Sequence, residues 1–223
     1  MKQIVSIVAF SMALIVQASG FESDGRWYLS LLVGTNNVDA LETKNWVAPE
    51  FDVDLDFSYG ALVGGTFGRS FGESYRLEAE LGYRANEASS LGDGNPNLYG
   101  DVNMDGDLKV FNSGLNGYYD PQFEFWVEPY IGGGFGIARF AAEVYQQGSG
   151  DVRTWEENDT AGYMQGMAGL SRSLGTNNAI TLEYRYFRSI GLDASSRYDW
   201  GVSPSNDSEY ASHSVIIGLR AAF

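Results

Sequence analysis

The sequence of 223 residues contains no cysteine and only one histidine, His213. Without cysteine, a disulfide framework, a lipid-modified N-terminal cysteine and cysteine metal sites are all excluded. The lack of cysteine is compatible with export, because exported proteins do not require disulfides. After the first 20 residues, no stretch approaches the roughly 18 uncharged apolar residues of a transmembrane helix, so a helical membrane protein is excluded as well.

Positive charge is also scarce, since 14 Lys and Arg residues oppose 29 Asp and Glu residues and give a net charge of −15. This balance argues against nucleic acid as a partner. The excess lies in four segments, because 35–56, 86–107, 139–160 and 188–210 together hold 20 acidic and 5 basic residues. Solubility explains most of this excess.

The N-terminus has the pattern of a secretory signal peptide. Lys2 gives a positive start, residues 4–16 are apolar apart from two serines, and small residues follow at 18–20. This apolar run of 13 residues is too short for a helical anchor, which needs roughly 20. We therefore expect residues 1–20 to be a signal peptide, cleaved after Ala18 or Gly20, and residues 21–223 to form one barrel domain.

Eight later segments carry strand-forming residues or alternating polarity. They cover residues 26–35, 58–68, 75–85, 108–119, 127–140, 160–174, 179–188 and 210–223. Short connections at 69–73, 120–124 and 175–178 alternate with long ones around 36–57, 86–107, 141–159 and 189–209. This alternation is typical of outer-membrane barrels. The sequence thus predicts an all-β fold, an eight-stranded antiparallel up-and-down transmembrane β-barrel with short periplasmic turns, long external loops and both termini in the periplasm.

The last segment indicates closure within a membrane. Alternate residues of 210–223 form an apolar face that ends at Phe223, and the opposite face carries a serine, a glycine and Arg220. A membrane barrel needs a closing strand, because an open edge in hydrocarbon leaves backbone groups unpaired. A soluble lipocalin-like barrel would be apolar inside, and alternation alone does not distinguish the two. The terminal aromatic residue and the long loops on one side favour the membrane barrel.

The polar faces of several predicted strands carry charges of both signs. We assign to the barrel interior Arg76, Glu78, Glu80, Arg84, Glu128, Glu183, Arg185 and Arg220. Four arginines and four glutamates predict a sealed interior of ion pairs, since an unpaired buried charge is expensive. An exposed strand face with the same mixture is the alternative. Aromatic girdles at the membrane interfaces are predicted from Trp27, Tyr28, Phe67, Tyr75, Tyr83, Tyr119, Trp126, Tyr186 and Tyr210.

Six short motifs follow one another along the chain. They read FGRSFG at 67–72, RLEAELGYR at 76–84, NGYYD at 116–120, EPYIGGG at 128–134, LEYRY at 182–186 and HSVIIGLRAAF at 213–223. The set resembles small, porin-like outer-membrane barrels of the opacity-protein and outer-membrane-protein-A type. The resemblance implies that Phe223 is a terminal signal for the barrel-assembly machinery. Ala221 departs from the pattern, because the family usually has an aromatic residue there.

A second motif, at residues 101–107, matches the first half of a calcium loop. Its ligands are predicted to be Asp101, Asn103, Asp105 and Asp107. Gly106 occupies the position of the sharp turn, but Asn112 stands where a calcium loop has its bidentate glutamate. The alternative is an acidic loop rich in turn residues. Weak calcium binding is the one cofactor prediction, and otherwise no cofactor is expected.

His213 is the candidate for catalysis, because barrel enzymes that trim lipid A use a membrane-facing histidine and serine with a carboxylate. By alternation His213 faces lipid, whereas Ser212 and Ser214 face inward, which prevents a His–Ser hydrogen bond. We therefore expect a non-enzymatic, structural and surface-exposed barrel whose acidic external loops serve interaction or adhesion. The alternatives are a lipid A-modifying enzyme and a small diffusion pore. Expected partners are outer-membrane lipid, the barrel-assembly machinery and an extracellular partner of the loops.

Overall fold

The computed structural model describes residues 25–39, 41–43, 53–57, 59–93, 104–122, 125–146, 155–194, 197–198, 201–202, 206–208 and 210–223. Among them are eight long strands: β1 (Trp27–Val38), β2 (Gly60–Phe71), β3 (Tyr75–Asp93), β4 (Met104–Tyr119), β5 (Glu128–Gln146), β6 (Trp155–Ser173), β7 (Asn178–Ile190) and β8 (Ala211–Ala222). Short strands lie at Leu41–Thr43, Val53–Phe57, Leu192–Ala194, Arg197–Tyr198, Gly201–Val202 and Asn206–Ser208. The described residues include no helix that is long and apolar enough to cross a membrane.

The long strands form one closed antiparallel ring. Each pairs with the strand before and after it in the sequence, and β8 also pairs with β1 in an unbroken register from Tyr28 opposite Ala222 to Val38 opposite Ser212. The backbone groups of every long strand therefore find partners on both sides, which a spanning sheet requires in hydrocarbon. The predicted eight-stranded up-and-down barrel is confirmed.

The two ends of the barrel differ in their connections. We call the end that holds Trp27 and Ala222 the terminus end, and the opposite end the loop end. The three short connections lie at the terminus end, and two of them contain glycines with positive φ, Gly72 at 60° and Gly175 at 91°. Glycine adopts this backbone conformation without the steric penalty of a Cβ atom, so it suits such tight turns.

The strands β3 to β6 extend further toward the loop end than predicted. β3 continues to Asp93, β4 begins at Met104, β5 continues to Gln146, and β6 begins at Trp155. The predicted connections around 86–107 and 141–159 are therefore partly strand, and those two boundaries were wrong. In these extensions polar residues interrupt the alternation of apolar and polar residues on which the prediction depended. The backbone hydrogen bonds between strands do not need that alternation, so the pairing continues.

The outer wall is apolar, whereas the buried charged and amide side chains point inward. In β3, the outward Leu77 and Leu81 are 58% and 57% exposed, whereas the inward Glu80 and Arg84 are 3% and 1% exposed. The same arrangement is found around the ring, because every long strand exposes large hydrophobic side chains on the outer wall. This arrangement suits an apolar solvent around the barrel and rules out the lipocalin-like alternative.

Aromatic residues line the outer wall at the terminus end. Trp27 stacks on Phe67 with ring centroids 4.9 Å apart, and the guanidinium of Arg69 lies 5.2 Å from the Trp27 centroid. Tyr28 and Tyr210 were predicted to belong to the girdles, but both side chains are 1% exposed and lie inside the barrel. That prediction was wrong because adjacent residues of a strand point to opposite faces, so Trp27 and Tyr28 cannot share one wall.

Candidate functional site

The barrel interior holds a network of charged and amide side chains, centred on Glu80. This carboxylate accepts hydrogen bonds from Arg185 Nη1 at 2.7 Å, from Asn116 Nδ2 at 2.7 Å and from Asn112 Nδ2 at 3.2 Å. Arg185 also donates through Nε and Nη2 to one oxygen of Glu183, at 2.9 and 2.7 Å. One buried arginine thus joins two buried carboxylates, which compensates charges that would be costly if left alone.

A second group of charged side chains lies in the lumen nearer the terminus end. Arg76 donates to both carboxylate oxygens of Asp120, through Nε at 2.6 Å and Nη2 at 2.9 Å. Its Nη1 lies 3.1 Å from Oε1 of Glu78. Tyr28 donates its hydroxyl hydrogen to Glu78 at 2.8 Å. The Arg76 guanidinium also lies 4.4 Å from the ring centroid of Tyr118. Charge pairing and cation–π contact therefore hold this arginine across the lumen.

Two of the eight predicted interior residues do not take part as expected. Glu128 is exposed at the start of β5, although its position in the alternation points inward, and Asp120 supplies the carboxylate instead. Arg220 is half-buried and lies 5.0 Å from the ring centroid of Tyr28. The assignment of Glu128 to the packed interior was wrong because its strand begins at the rim. Asp120 follows directly after β4, and the β3–β4 register that places it beside Arg76 is not readable from one segment.

Inward-facing glycines make room for the large side chains at this end. A Cβ atom at Gly132 would lie 2.5 Å from the Tyr118 ring, and one at Gly169 would overlap the Tyr130 ring. Tyr130 reaches across the lumen, where its hydroxyl donates to Glu183 at 3.1 Å. Small residues on one strand thus allow tyrosines on the next to fill the lumen.

The lumen near the loop end is filled by an apolar cluster that the sequence did not predict. We call it the aromatic plug, and it consists of Val38, Leu108, Val110, Ala138, Phe140, Ala161, Tyr163, Phe187 and Tyr210. Phe187 contacts Tyr163 with centroids 4.5 Å apart and Tyr210 at 5.8 Å, and Tyr210 contacts Phe140 at 5.2 Å. The inward alternation of Val110 and Phe187 is the signal that could have revealed it.

Together these groups place large side chains at two levels of the interior. Comparison with known proteins then shows the family: the model of the outer membrane protein beta-barrel domain matches residues 6–223. The chain belongs to this family. No curated protein matches the sequence. The chain is therefore an outer-membrane β-barrel protein of the porin-like type found in Gram-negative bacteria.

Several solved structures share the fold of this outer-membrane barrel. It is similar to the outer membrane protease OmpT of Escherichia coli, with a TM-score of 0.59 and 10% identity over 93% of this chain and 99% of that one. It is similar to OprG of Pseudomonas aeruginosa, with a TM-score of 0.53 and 12% identity over 92% and 98%. Neisserial surface protein A gives a TM-score of 0.50 and 16% identity over 88% and 97%. At these identities the likeness shows the fold alone.

On the outer wall of the barrel, His213 lies in a small polar cluster near the loop end. Its Nε2 is 3.2 Å from Oδ2 of Asp39, and its Nδ1 is hydrogen-bonded to the hydroxyl of Tyr184. Ser212 and Ser214 are buried on the opposite face, as the alternation predicts. With both ring nitrogens engaged and both neighbouring serines on the opposite face, the described residues do not give His213 the arrangement of a nucleophilic triad. Register with β1 could have indicated Asp39, since Asn37 pairs with His213.

The predicted calcium motif is only partly visible in the barrel. Asp101 and Asn103 lie outside the described residues, so their role stays a prediction. Gly106 does not form the predicted sharp turn, because it is extended within β4 and pairs with Val144 of β5. Asp107 forms an ion pair with Lys109 at 3.3 Å. The described residues contain no group of three or more histidine, aspartate and glutamate side chains that could hold a metal.

The two ends of the sequence bear on export and assembly. Residues 1–24, which include the predicted signal peptide, lie outside the described residues. Phe223 follows β8, and its backbone N–H donates to the carbonyl of Trp27 at 2.9 Å. Its role as an assembly signal stays a prediction.

Proposed function

We propose that this outer-membrane barrel is a non-enzymatic, surface-exposed scaffold that presents acidic external loops for interaction or adhesion. The terminus end then faces the periplasm and the loop end faces outward. The observation that carries the proposal is the interior, where arginine–carboxylate pairs and the aromatic plug fill the lumen. A filled barrel offers no wide path for solutes, so a specific function resides in the loops.

Charge supports a role in binding cationic partners. The segments 35–56, 86–107, 139–160 and 188–210, which include the loops, carry the whole net charge of −15. An acidic surface attracts positively charged molecules and raises their rate of association. Outer-membrane lipid around the apolar wall and the barrel-assembly machinery are the other partners we propose.

The alternative of a lipid A-modifying enzyme is less well supported. Such an enzyme would need a histidine, a serine and a carboxylate together on the lipid-facing wall. Here His213 and Asp39 lie on that wall, but the neighbouring serines point into the lumen. The likeness to OmpT, a protease, is a likeness of fold, and fold alone does not determine activity.

Photo-crosslinking on intact cells tests the proposal. A photoreactive amino acid at Trp200, within an acidic segment, should yield crosslinks to an external protein or glycan. The matched control replaces Ile217, which is 55% exposed on the outer wall and should crosslink to lipid only. Loss of the Trp200 crosslinks after neutralisation of Asp199, Asp207 and Glu209 would support the acidic loop as the binding element. No crosslink above the Ile217 background at any loop position would contradict the proposal.

A further inference from the structure

Three buried arginines in the described part of the lumen are coordinated differently. Arg76 and Arg185 each use the fork formed by Nε and Nη2 to hold a carboxylate, Asp120 and Glu183 respectively. Arg84 presents the same fork, but neither Nε nor Nη2 has a hydrogen-bond partner among the described residues. This fork matches carboxylates and other small anions in geometry and charge. Of the three forks, only that of Arg84 has no acceptor from the described part of the protein.

Arg84 also lacks a direct carboxylate on its remaining nitrogen. Nη1 donates to Oδ1 of Asn112 at 2.9 Å, and Asn112 in turn donates to Glu80 at 3.2 Å. The amide of Asn112 thus lies between the cation and the carboxylate. Because Arg84 is 1% exposed, water outside the barrel does not solvate it. A buried charge without a paired partner is costly, so a missing acceptor is expected at the fork.

The surroundings of Arg84 suit a small ligand. Its guanidinium lies 4.1 Å from the ring centroid of Phe187, in the aromatic plug, and this contact supplies no hydrogen-bond acceptor. Ser212 is opposite Phe187 in the β7–β8 register and is fully buried. Its hydroxyl also has no hydrogen-bond partner within the described ranges. Two unused donor groups therefore lie on the inner wall beside the same ring.

We propose that the Nε–Nη2 fork of Arg84 binds one small monovalent anion, a halide such as chloride or a short carboxylate such as formate. A single fork suits one charge, and the neighbouring Arg185 is already paired with Glu80 and Glu183. The anion would complete at Arg84 the coordination that Asp120 and Glu183 provide for the other two arginines. This site is separate from the proposed loop function.

Anion exchange on the refolded barrel tests the site. The mature protein is refolded into detergent in sodium chloride, sodium formate or sodium gluconate at equal ionic strength, and its unfolding temperature is measured. An anion present at about ten times its Kd raises that temperature by about 3–6 °C for a chain of this size. Gluconate is much bulkier than chloride or formate and serves as the reference.

Two arginine substitutions distinguish the site from general salt effects. In Arg84→Met the difference between anions should disappear, whereas in Arg139→Met, which removes an exposed arginine of the outer wall, it should persist. A gain in chloride alone identifies a halide site, and a gain in formate alone identifies a carboxylate site. Equal unfolding temperatures of the wild type in all three salts, or a difference that survives in Arg84→Met, would overturn the proposal.

A measurement on the wild-type protein covers the case in which Arg84→Met does not fold. In a barrel labelled with ¹⁵N at arginine Nε, one buried Nε–H resonance should shift when gluconate is replaced by the binding anion. Arg84→Lys, which keeps the charge but lacks the fork, should lose that resonance. If no arginine resonance responds to the anion, the fork is hydrated and the proposal is wrong.

Discussion

The two halves of the lumen are filled in different ways by the same strands. Near the terminus end, Arg76 and Arg185 bind carboxylates directly, and tyrosines surround them. Near the loop end, the aromatic plug fills the space, and Arg84 at its edge has no direct carboxylate. The ion pairs fix the positions of strands through directional bonds. The aromatic plug instead occupies the lumen with apolar side chains, which exclude water. The lumen therefore holds two chemically different groups of side chains, one charged and one aromatic.

The largest effect on stability is expected from Arg185→Met, in the half of the lumen that holds the arginine–carboxylate pairs. It leaves Glu80 and Glu183 buried without their cation, which should cost about 3–5 kcal/mol of the free energy of unfolding. Urea titration of the barrel in lipid vesicles, followed by the mobility shift between boiled and unboiled gel samples, measures this loss. Arg139→Met on the outer wall is the control and should change little. An equal loss in both variants would show that the network is not what holds this half.

Deletion of Phe223 is expected to have the next largest effect, on assembly and not on lumen packing. The residue directly follows the closing strand at the terminus end, where its N–H donates to the carbonyl of Trp27. We expect several-fold less heat-modifiable protein in the outer membrane. Asp159→Ala, in β6 toward the loop end, should leave the yield close to that of the wild type. Equal yields of the two variants would remove the assembly role of Phe223.

A smaller loss is expected from Val110→Ala within the aromatic plug. Val110 is fully buried, so removing two methyl groups should cost about 1.5–2.5 kcal/mol through lost burial and an unfilled cavity. Val215→Ala is a matched control, since Val215 is 52% exposed on the outer wall. Urea titrations of the two variants give the comparison. If Val215→Ala costs as much, the plug is no better packed than the lipid-facing wall.

The smallest effect is expected on the outer wall, from His213→Ala. It breaks exposed hydrogen bonds to Asp39 and Tyr184, so stability should change by about 1 kcal/mol or less. Mass spectrometry of lipid A from cells that express the wild type or the variant should give identical profiles. A lipid A change that requires His213 would support the enzyme alternative.

Sequence reasoning predicted the fold more fully than the interior. Periodicity within each segment and the alternation of short and long connections along the chain give the eight strands and their order, and both can be read directly from the sequence. The strands beyond residues 85 and 140 were missed because pairing there continues without an apolar face. Local patterns cannot say where a segment lies along the barrel axis, which is why Glu128 was placed in the packed interior.

Contacts between distant segments explain the remaining differences. Asp120 meets Arg76 only through the β3–β4 register, and Tyr210 joins Phe140 and Phe187 across the lumen. The charged residues of β3 and β7 were identified correctly, because alternation within one strand is enough to place them. The partners of these charged residues could be identified only from the closed barrel, which brings distant strands together.

Conductance of the refolded barrel in a planar lipid bilayer tests the sealed interior most directly. Opening a water column would require breaking the Arg185 pairs with Glu80 and Glu183 and displacing the aromatic plug. We therefore predict no steady conductance from the wild type, and at most rare small openings. Either Arg185→Met or Val110→Ala alone should leave the barrel closed, because the other half still blocks it. Stable conductance comparable to that of a large porin in the wild type would contradict the account and favour the diffusion pore.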